Sequence, residues 1–255
     1  MQVQYGKTED IAEWMKLVEE IRWNYPGLET KEALEEHRET VLRFMNKGQA
    51  LCVKEGVEIK GVCLFSRGHN MICCLGVSPK YRRRGIASML LSAALVKLDR
   101  TKDISVSTFR EEDEKGTAPR ALYKKFGFAE DELIEEFGYP NQKFILHSII
   151  GERVTVKVDR PMGSYHPKHT DMYYPINYGY VEGVMAPDGE EQDAYILGVE
   201  EPVEEFTGVI VAIIHRHDDV EEKWVVAPEN GIFSAEEIET QVHFQEQYFD
   251  MEIRM

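Results

Sequence analysis

The stretch "CLGVSPKYRRRGIASMLLSAALVKLD", residues 74–99, decides the reading of the first half of this 255-residue chain. An apolar strand ends at Val77, a basic turn follows, and apolar spacing then predicts a helix from about Ile86 to Asp99. Gly85 stands where backbone must approach a ligand, at the start of a helix whose free N–H groups and positive dipole end attract anions. Arg82, Arg83, Arg84, Gly85, Ile86 and Ala87 therefore form a candidate pyrophosphate cradle.

Working outward, Ile11, Trp14, Met15, Val18 and Ile21 recur at helical spacing, as do Leu34, His37, Val41, Phe44 and Met45. Thr8 and Thr30 are the expected N-caps of two amphipathic helices, and Gly48 is the stop after the second. Residues 50–53 and 59–66 read as a hairpin, 71–77 as a buried strand, 104–109 as another strand. "APRALYKKF", residues 118–126, reads as a short helix with Pro119 in its first turn.

The turn Arg82-x-x-Gly85-x-Ala87 after a strand, with "APRALYKKFGF" (118–128) some 35 residues on, resembles the GNAT superfamily of acyl-CoA-dependent N-acetyltransferases over nearly all of residues 1–148. The resemblance implies an α/β (α+β) fold with a mixed central sheet and binding of acetyl-CoA. The coenzyme A pyrophosphate would lie on Arg82, Arg83, Arg84, Gly85, Ile86, Ala87 and Ser88, and pantetheine along the backbone of Leu75 and Val77. Tyr123 matches the family's general acid; a phenol within hydrogen-bond reach of the thioester sulfur can protonate the departing thiolate. Gly116 stands where the family often has an asparagine, seven residues before that tyrosine. Glu29, Glu111, Glu112 and Asp113 are candidates for the general base, and Trp23 and Tyr25 of "RWNYPGLET" (22–30) either line the acceptor site or pack the first two helices together.

A chain of this length holds two domains of ordinary size, at roughly 100 to 150 residues each. The charge supports a division: residues 149–255 carry 7 Lys and Arg against 23 Asp and Glu, so the net charge of −16 belongs to the second half. That balance argues against nucleic acid or an anionic membrane as its partner and favours cations. The expected domains are 1–148 and 151–255, joined by the short apolar "FILHSIIGERV". Segments within 153–158, 194–199, 208–214 and 223–227 read as short strands, and Ser234 with Glu237 as a capping box before a terminal helix with Ile238, Val242, Gln245 and Phe249 on one stripe. Several short strands and one helix predict a small, mainly-β barrel with a helix packed on it.

Ahead of that helix lies "YYPINYGYVEGVMAPDGEEQDAYILGV", residues 173–199, with Asp188, Glu190, Glu191 and Asp193 in close succession. Clustered carboxylates are costly unless a cation sits among them, and hard oxygen ligands select Mg2+ or Mn2+. A solvated hairpin tip is the other reading of that fragment. The segment resembles the family I inorganic pyrophosphatases, with a Y-P-x-N-Y-G-Y run followed by spaced acids, which implies an OB-like barrel. The resemblance makes Asp188, Glu190, Asp193, Asp218 or Asp219, and Glu221 metal ligands; Arg160, Tyr174, Lys223 and Tyr248 phosphate ligands; and Tyr178 a neighbour of the metal-bound nucleophile. Two bound metals would lower the pKa of a bridging water and neutralise the leaving phosphate. The chain departs from that family at Glu190, Glu221 and Phe249, and adds His166-x-x-His169. Two functions stay open for this half: hydrolysis of a diphosphate or diphosphate-containing metabolite, or a non-catalytic phosphate- or metal-binding or oligomerisation module that regulates the transferase.

Cys52, Cys63, Cys73 and Cys74 contain no C-x-x-C pair, which disfavours disulfide and zinc readings. No apolar run reaches the roughly 18 residues a membrane helix needs, and a cytoplasmic location is expected. Self-association and the identity of the amine acceptor are left open.

Overall fold

The computed structural model describes residues 2–186, 188–219 and 222–255, and the chain forms two compact units. The first comprises Met1–Asp99 and Asp103–His147. Its elements in order are β1 (Val3–Tyr5), α1 (Ile11–Ile21), α2 (Lys31–Asn46), β2 (Ala50–Glu55), β3 (Glu58–Ser66), β4 (Met71–Val77), α3 (Ile86–Leu95), β5 (Ile104–Phe109), α4 (Thr117–Lys125), β6 (Ala129–Glu136) and β7 (Tyr139–Leu146). The seven strands form one sheet in the order β1-β2-β3-β4-β5-β7-β6, antiparallel except for the β4–β5 pair.

Both faces of that sheet are buried, and the period-2 alternation of a strand sorts its side chains between them. Leu51, Val53, Cys63 and Phe65 face one apolar cluster with Ile86, Leu90 and Leu91 of α3, and Tyr123 of α4. Ala50, Cys52, Val62 and Leu64 face the other, with Trp14, Leu17, Val18 and Ile21 of α1. Thr30 caps α2 as expected, its hydroxyl accepting from the Ala33 N–H at 3.1 Å. Thr8 is no cap of α1: it opens a short 3-10 turn, α1 starts three residues later, and Asp10 instead accepts from the Lys7 N–H. Helix α3 also stops at Leu95, short of the expected Asp99.

The strands β4 and β5 pair only through Met71 with Ser105 and Ile72 with Val106, after which they diverge. The Ser78 N–H bonds to the Lys60 carbonyl on the β3 side, so the alternation of a ladder turns the Val77 and Leu75 backbone toward the open side. A buried arginine sets α4 across the far sheet: Arg120 donates to the Phe109 carbonyl at 3.2 Å, to Gln142 Oε1 at 2.7 Å and to Glu130 Oε1 at 2.6 Å. Those bonds hold Tyr123, one turn farther on, toward the mouth of the splay.

The second unit comprises Arg100–Lys102 and Ser148–Met255. Its elements are β8 (Arg153–Arg160), β9 (Asn177–Met185), β10 (Glu191–Ile196), β11 (Glu205–Arg216), β12 (Glu222–Ala227), α5 (Ala235–Glu246) and β13 (Met251–Arg254). The sheet order is β12-β10-β9-β8-β11-β13, and an added β12–β11 pairing closes five strands into a barrel. The long β11 makes closure feasible: Glu205–Val209 pair with β8, while Val209–His215 pair with β12. Ile149, Val156, Val181, Ile196, Ile210 and Val226 are among the residues filling one apolar cluster. Ile238 and Val242 of α5 pack with Tyr178, Tyr195, Leu197 and Ile214 in another. Ser234 and Glu237 form the anticipated capping box, the Ser234 N–H donating to Glu237 Oε2 at 2.8 Å and the Glu237 N–H to Ser234 Oγ at 3.3 Å.

Candidate active site and the barrel cluster

In the first unit, one cleft of about 580 Å³ gathers the motifs that the sequence spaced far apart. Leu75, Gly76 and Val77 of β4 form one wall, Arg82, Arg83, Gly85, Ile86, Ala87 and Ser88 the end, and Leu122 and Tyr123 of α4 the other wall. Gly85 has φ +79° and Arg83 φ +63°, so two left-handed residues fold the turn tightly before α3 begins. The first N–H groups of an α-helix have no intrahelical acceptor, and the dipole contributes about half a positive charge at that end. An anion at the cleft end therefore finds backbone donors already aligned. The Arg84 guanidinium lies over the Tyr81 ring at 5.4 Å, which leaves the backbone amide of Arg84, the group the resemblance invokes, as its link to the turn.

The open edge of β4 is covered by side chains. The Tyr25 hydroxyl donates to the Leu75 carbonyl at 2.5 Å, and Arg82 Nε donates to the Val77 carbonyl at 3.3 Å. Tyr25 therefore both lines the cleft and packs α1 against the sheet, the two roles the sequence left open. Burial pushes the Tyr123 phenol well above its ordinary pKa, with the nearby Cys63 and Cys74 thiols adding to the shift, so the ring stays protonated. Gly116 has no space for the family's asparagine: a Cβ there would lie 2.9 Å from the Arg110 carbonyl oxygen and 3.1 Å from the Arg120 side chain.

A second cavity of about 300 Å³ adjoins the first through Trp23, Tyr25 and Lys115, and Glu29 and Tyr139 line it. Of the four carboxylates proposed as base, Glu29 is the one on this wall. Asp113 is engaged elsewhere, accepting from the Tyr139 hydroxyl at 2.6 Å and the Lys115 N–H at 2.9 Å.

In the barrel the sequence-chosen residues separate into groups. Asp193 is central to the first: it accepts from the Tyr178 hydroxyl at 2.6 Å and from Lys223 Nζ in a close ion pair. The β10–β12 pairing, parallel in this barrel, aligns Asp193 with Lys223. Asp159 and Arg160 lie beside Asp193 and Tyr174, and burial, followed by the Asp193 charge, raises the Asp159 carboxyl despite Arg160. Arg160 donates to Asp159 Oδ2 at 2.9 Å, and its buried Nε has no hydrogen-bond partner among the described residues. Asp159 was not among the residues singled out, since "VDRP" carries no acidic spacing; only the sheet register brings it to Asp193.

Asp188 and Glu190 sit in an exposed turn where Asp188 Oδ1 accepts from the Glu190 N–H at 3.0 Å. Asp218 accepts from the Asp250 N–H at 3.2 Å, and Asp219 pairs with Arg216 at 3.3 Å. Glu221 lies outside the described residues. Tyr248 is 68% exposed on the rim of a different cavity, with His169, Phe244 and Gln247. His166 Nδ1 accepts from the N–H groups of Lys168 and His169 at 3.1 and 3.0 Å, so His166-x-x-His169 closes its own turn. Phe249, where the pyrophosphatase pattern has lysine, is the ring beneath the Arg216 guanidinium at 3.5 Å.

The described residues by themselves do not assemble a divalent-cation site, and Glu221 lies outside them. Among the described residues no three His, Cys, Asp or Glu groups are placed to hold a metal ion, and Asp193 already has an ammonium and a phenol as partners. A Mg2+ would have to displace Lys223 and recruit ligands from a solvent-exposed turn.

A splayed sheet edge, a helix N-terminus at its end and a buried phenol across the gap are the arrangement that the resemblance to the GNAT superfamily implies for the first unit. The family model of the acetyltransferase (GNAT) domain matches residues 46–130, and the chain carries such a domain there. Solved structures similar to the chain include an N-acetyltransferase from Staphylococcus aureus (19% identity, 57% of this chain and all of that one, TM-score 0.47). A GNAT-family acetyltransferase from Bacillus cereus is another (21% identity, 58% of this chain and 96% of that one, TM-score 0.45). In the C-terminal region, an inorganic pyrophosphatase from Caulobacter vibrioides is 33% identical over 66 residues, 23% of this chain. The match spans 37% of that relative's length.

Proposed function

We propose that residues 1–148 catalyse transfer of the acetyl group of acetyl-CoA to an amine. The observation that carries this reading is the single cleft lined at once by the Gly85 turn, the open edge of β4 and Tyr123. Acetyl-CoA supplies the activated thioester. The N–H groups of Ile86, Ala87 and Ser88 orient its pyrophosphate, Leu75 and Val77 align pantetheine, and Tyr123 holds the proton for the leaving sulfur. Gly85→Val tests the cradle. A β-branched residue at φ +79° costs about 1–2 kcal/mol, so calorimetric titration should show coenzyme A affinity falling roughly tenfold with α3 intact. Unaltered affinity would move the pyrophosphate off this turn.

For residues 151–255 the reading that fits best is a metal-free binding module for a phosphate-bearing ligand rather than a hydrolase. Lys223 and Asp193 neutralise each other, whereas Arg160 keeps an unmet donor beside Tyr174. Pyrophosphate incubated with Mg2+ or Mn2+ should release no phosphate above background, while calorimetry without metal should register pyrophosphate binding that weakens about tenfold in Arg160→Met. Metal-dependent release that vanishes in Asp193→Asn would restore the hydrolase.

A further inference from the structure

The cavity beside the cofactor cleft carries a charge pattern that says what kind of amine it takes. Tyr25 is its fixed partition. The phenol is bound to the Leu75 carbonyl at 2.5 Å, and its hydroxyl lies 2.9 Å from where a Cβ on Gly76 would stand, so only glycine lets the ring close onto the strand. Beyond that partition are one carboxylate, Glu29, and two cations, Arg22 and Lys115, between the aromatic walls of Trp23 and Tyr139. Glu29 Oε1 accepts from the Gly27 N–H at 3.1 Å, which fixes the carboxylate within its loop. Lys115 Nζ stands 5.5 Å above the Tyr139 ring, and the Tyr139 hydroxyl together with the Lys115 charge holds the neighbouring Asp113 carboxyl below its usual pKa. One negative and two positive charges facing a cavity of about 300 Å³, small for a ligand site, complement a small molecule that bears both an ammonium and an anion.

Building on the transferase reading, we infer that the acceptor is a small amino acid-like zwitterion, its amine on Glu29 and its anionic group on Arg22 and Lys115. The amine nitrogen, after giving a proton to Glu29, attacks the acetyl carbonyl. A C–N bond forms, the C–S bond of acetyl-CoA breaks, the second amine proton leaves to water, and the thiolate takes the proton of Tyr123. The recognition is electrostatic, so an uncharged replacement of the anion loses it.

The experiment measures thiol release at saturating acetyl-CoA with matched pairs: amino acids of graded chain length, the same amino acids as carboxamides, and as dipeptides. The free acids should exceed their amides by at least about tenfold in kcat/KM. Lys115→Met should erase that preference through KM, and Glu29→Gln should lower kcat for every acceptor in the series. Dipeptides preferred over free acids would reassign the site to a peptide terminus. Amides equal to acids, a preference intact in Lys115→Met, or no turnover of any zwitterion while acetyl-CoA still binds, each overturns the acceptor assignment. Absence of acetyl-CoA binding overturns the transferase reading instead.

Discussion

Tyr123→Phe is expected to lower kcat for acetyl transfer by roughly 10²- to 10⁴-fold, the usual contribution of a positioned general acid, while KM for acetyl-CoA stays within about threefold. The ring is 5% exposed and packs against Phe128 and Phe144 at centroid distances of 5.6 and 6.2 Å, contacts that phenylalanine keeps. Loss of the hydroxyl is therefore the only chemical change, and binding of the donor is left to β4 and the Gly85 turn. Because burial raises this phenol's pKa, its ionisation contributes no alkaline limb to the wild-type profile below pH about 10. Steady-state kinetics with a competent amine decide the matter. Unchanged turnover in the variant would remove Tyr123 from proton transfer, and a loss confined to KM would make it a packing residue.

The second large effect lies in the barrel. Arg216 and Glu246 form a buried ion pair with side chains 3% and 0% exposed, bonded at 2.9 Å through Nε and 2.6 Å through Nη2. The Tyr195 hydroxyl donates to the same carboxylate at 2.5 Å, and Phe249 covers the guanidinium. Glu246→Ala takes from the buried guanidinium the carboxylate that accepts from two of its nitrogens, and removing one member of such a pair costs about 3–5 kcal/mol. A barrel of this size should lose more than about 10 °C in its unfolding midpoint. Amide exchange in α5 during urea unfolding of the full chain reports on it, because Glu246 is the last residue of that helix. The double variant Arg216→Met, Glu246→Leu should recover most of the loss, since apolar replacement removes both desolvation costs together. A shift below about 0.5 kcal/mol in the single variant would mean that α5 is held by Ile238 and Val242 alone.

Local rules made much of the molecule legible. Strands β2 to β5 were readable because their apolar runs are short and bounded by turn residues, and α5 because Ser234 and Glu237 cap it. Strand β6 was not, since "AEDELIEE" is exposed along nearly its whole length and carries no apolar alternation, and β7 was not, because its apolar end "FIL" reads as the start of the junction between the halves. β9 escaped notice for a different reason: "NYGYVEGVM" has its tyrosines and glycines where a strand pattern expects aliphatic residues, and it is a strand because β8 and β10 flank it.

By itself the sequence determined the turn at Gly85, because a glycine between a strand and a helix N-terminus specifies a backbone conformation locally, and the family resemblance of its motifs pointed to Tyr123, which lines the same cleft. It also assigned the acidic excess to the second half. Only the tertiary structure decided which partners one of those acids meets. Whether Asp193 meets a metal or an ammonium depends on β10 and β12 lying side by side in register, and there Lys223, 30 residues away, reaches it. Likewise Glu29 parted from the other candidate bases only when the loop after α1 closed over β4. Hydrogen-bonded turns and helix starts are short-range; the compensation of one charge by another is long-range, set by the fold that brings distant residues together.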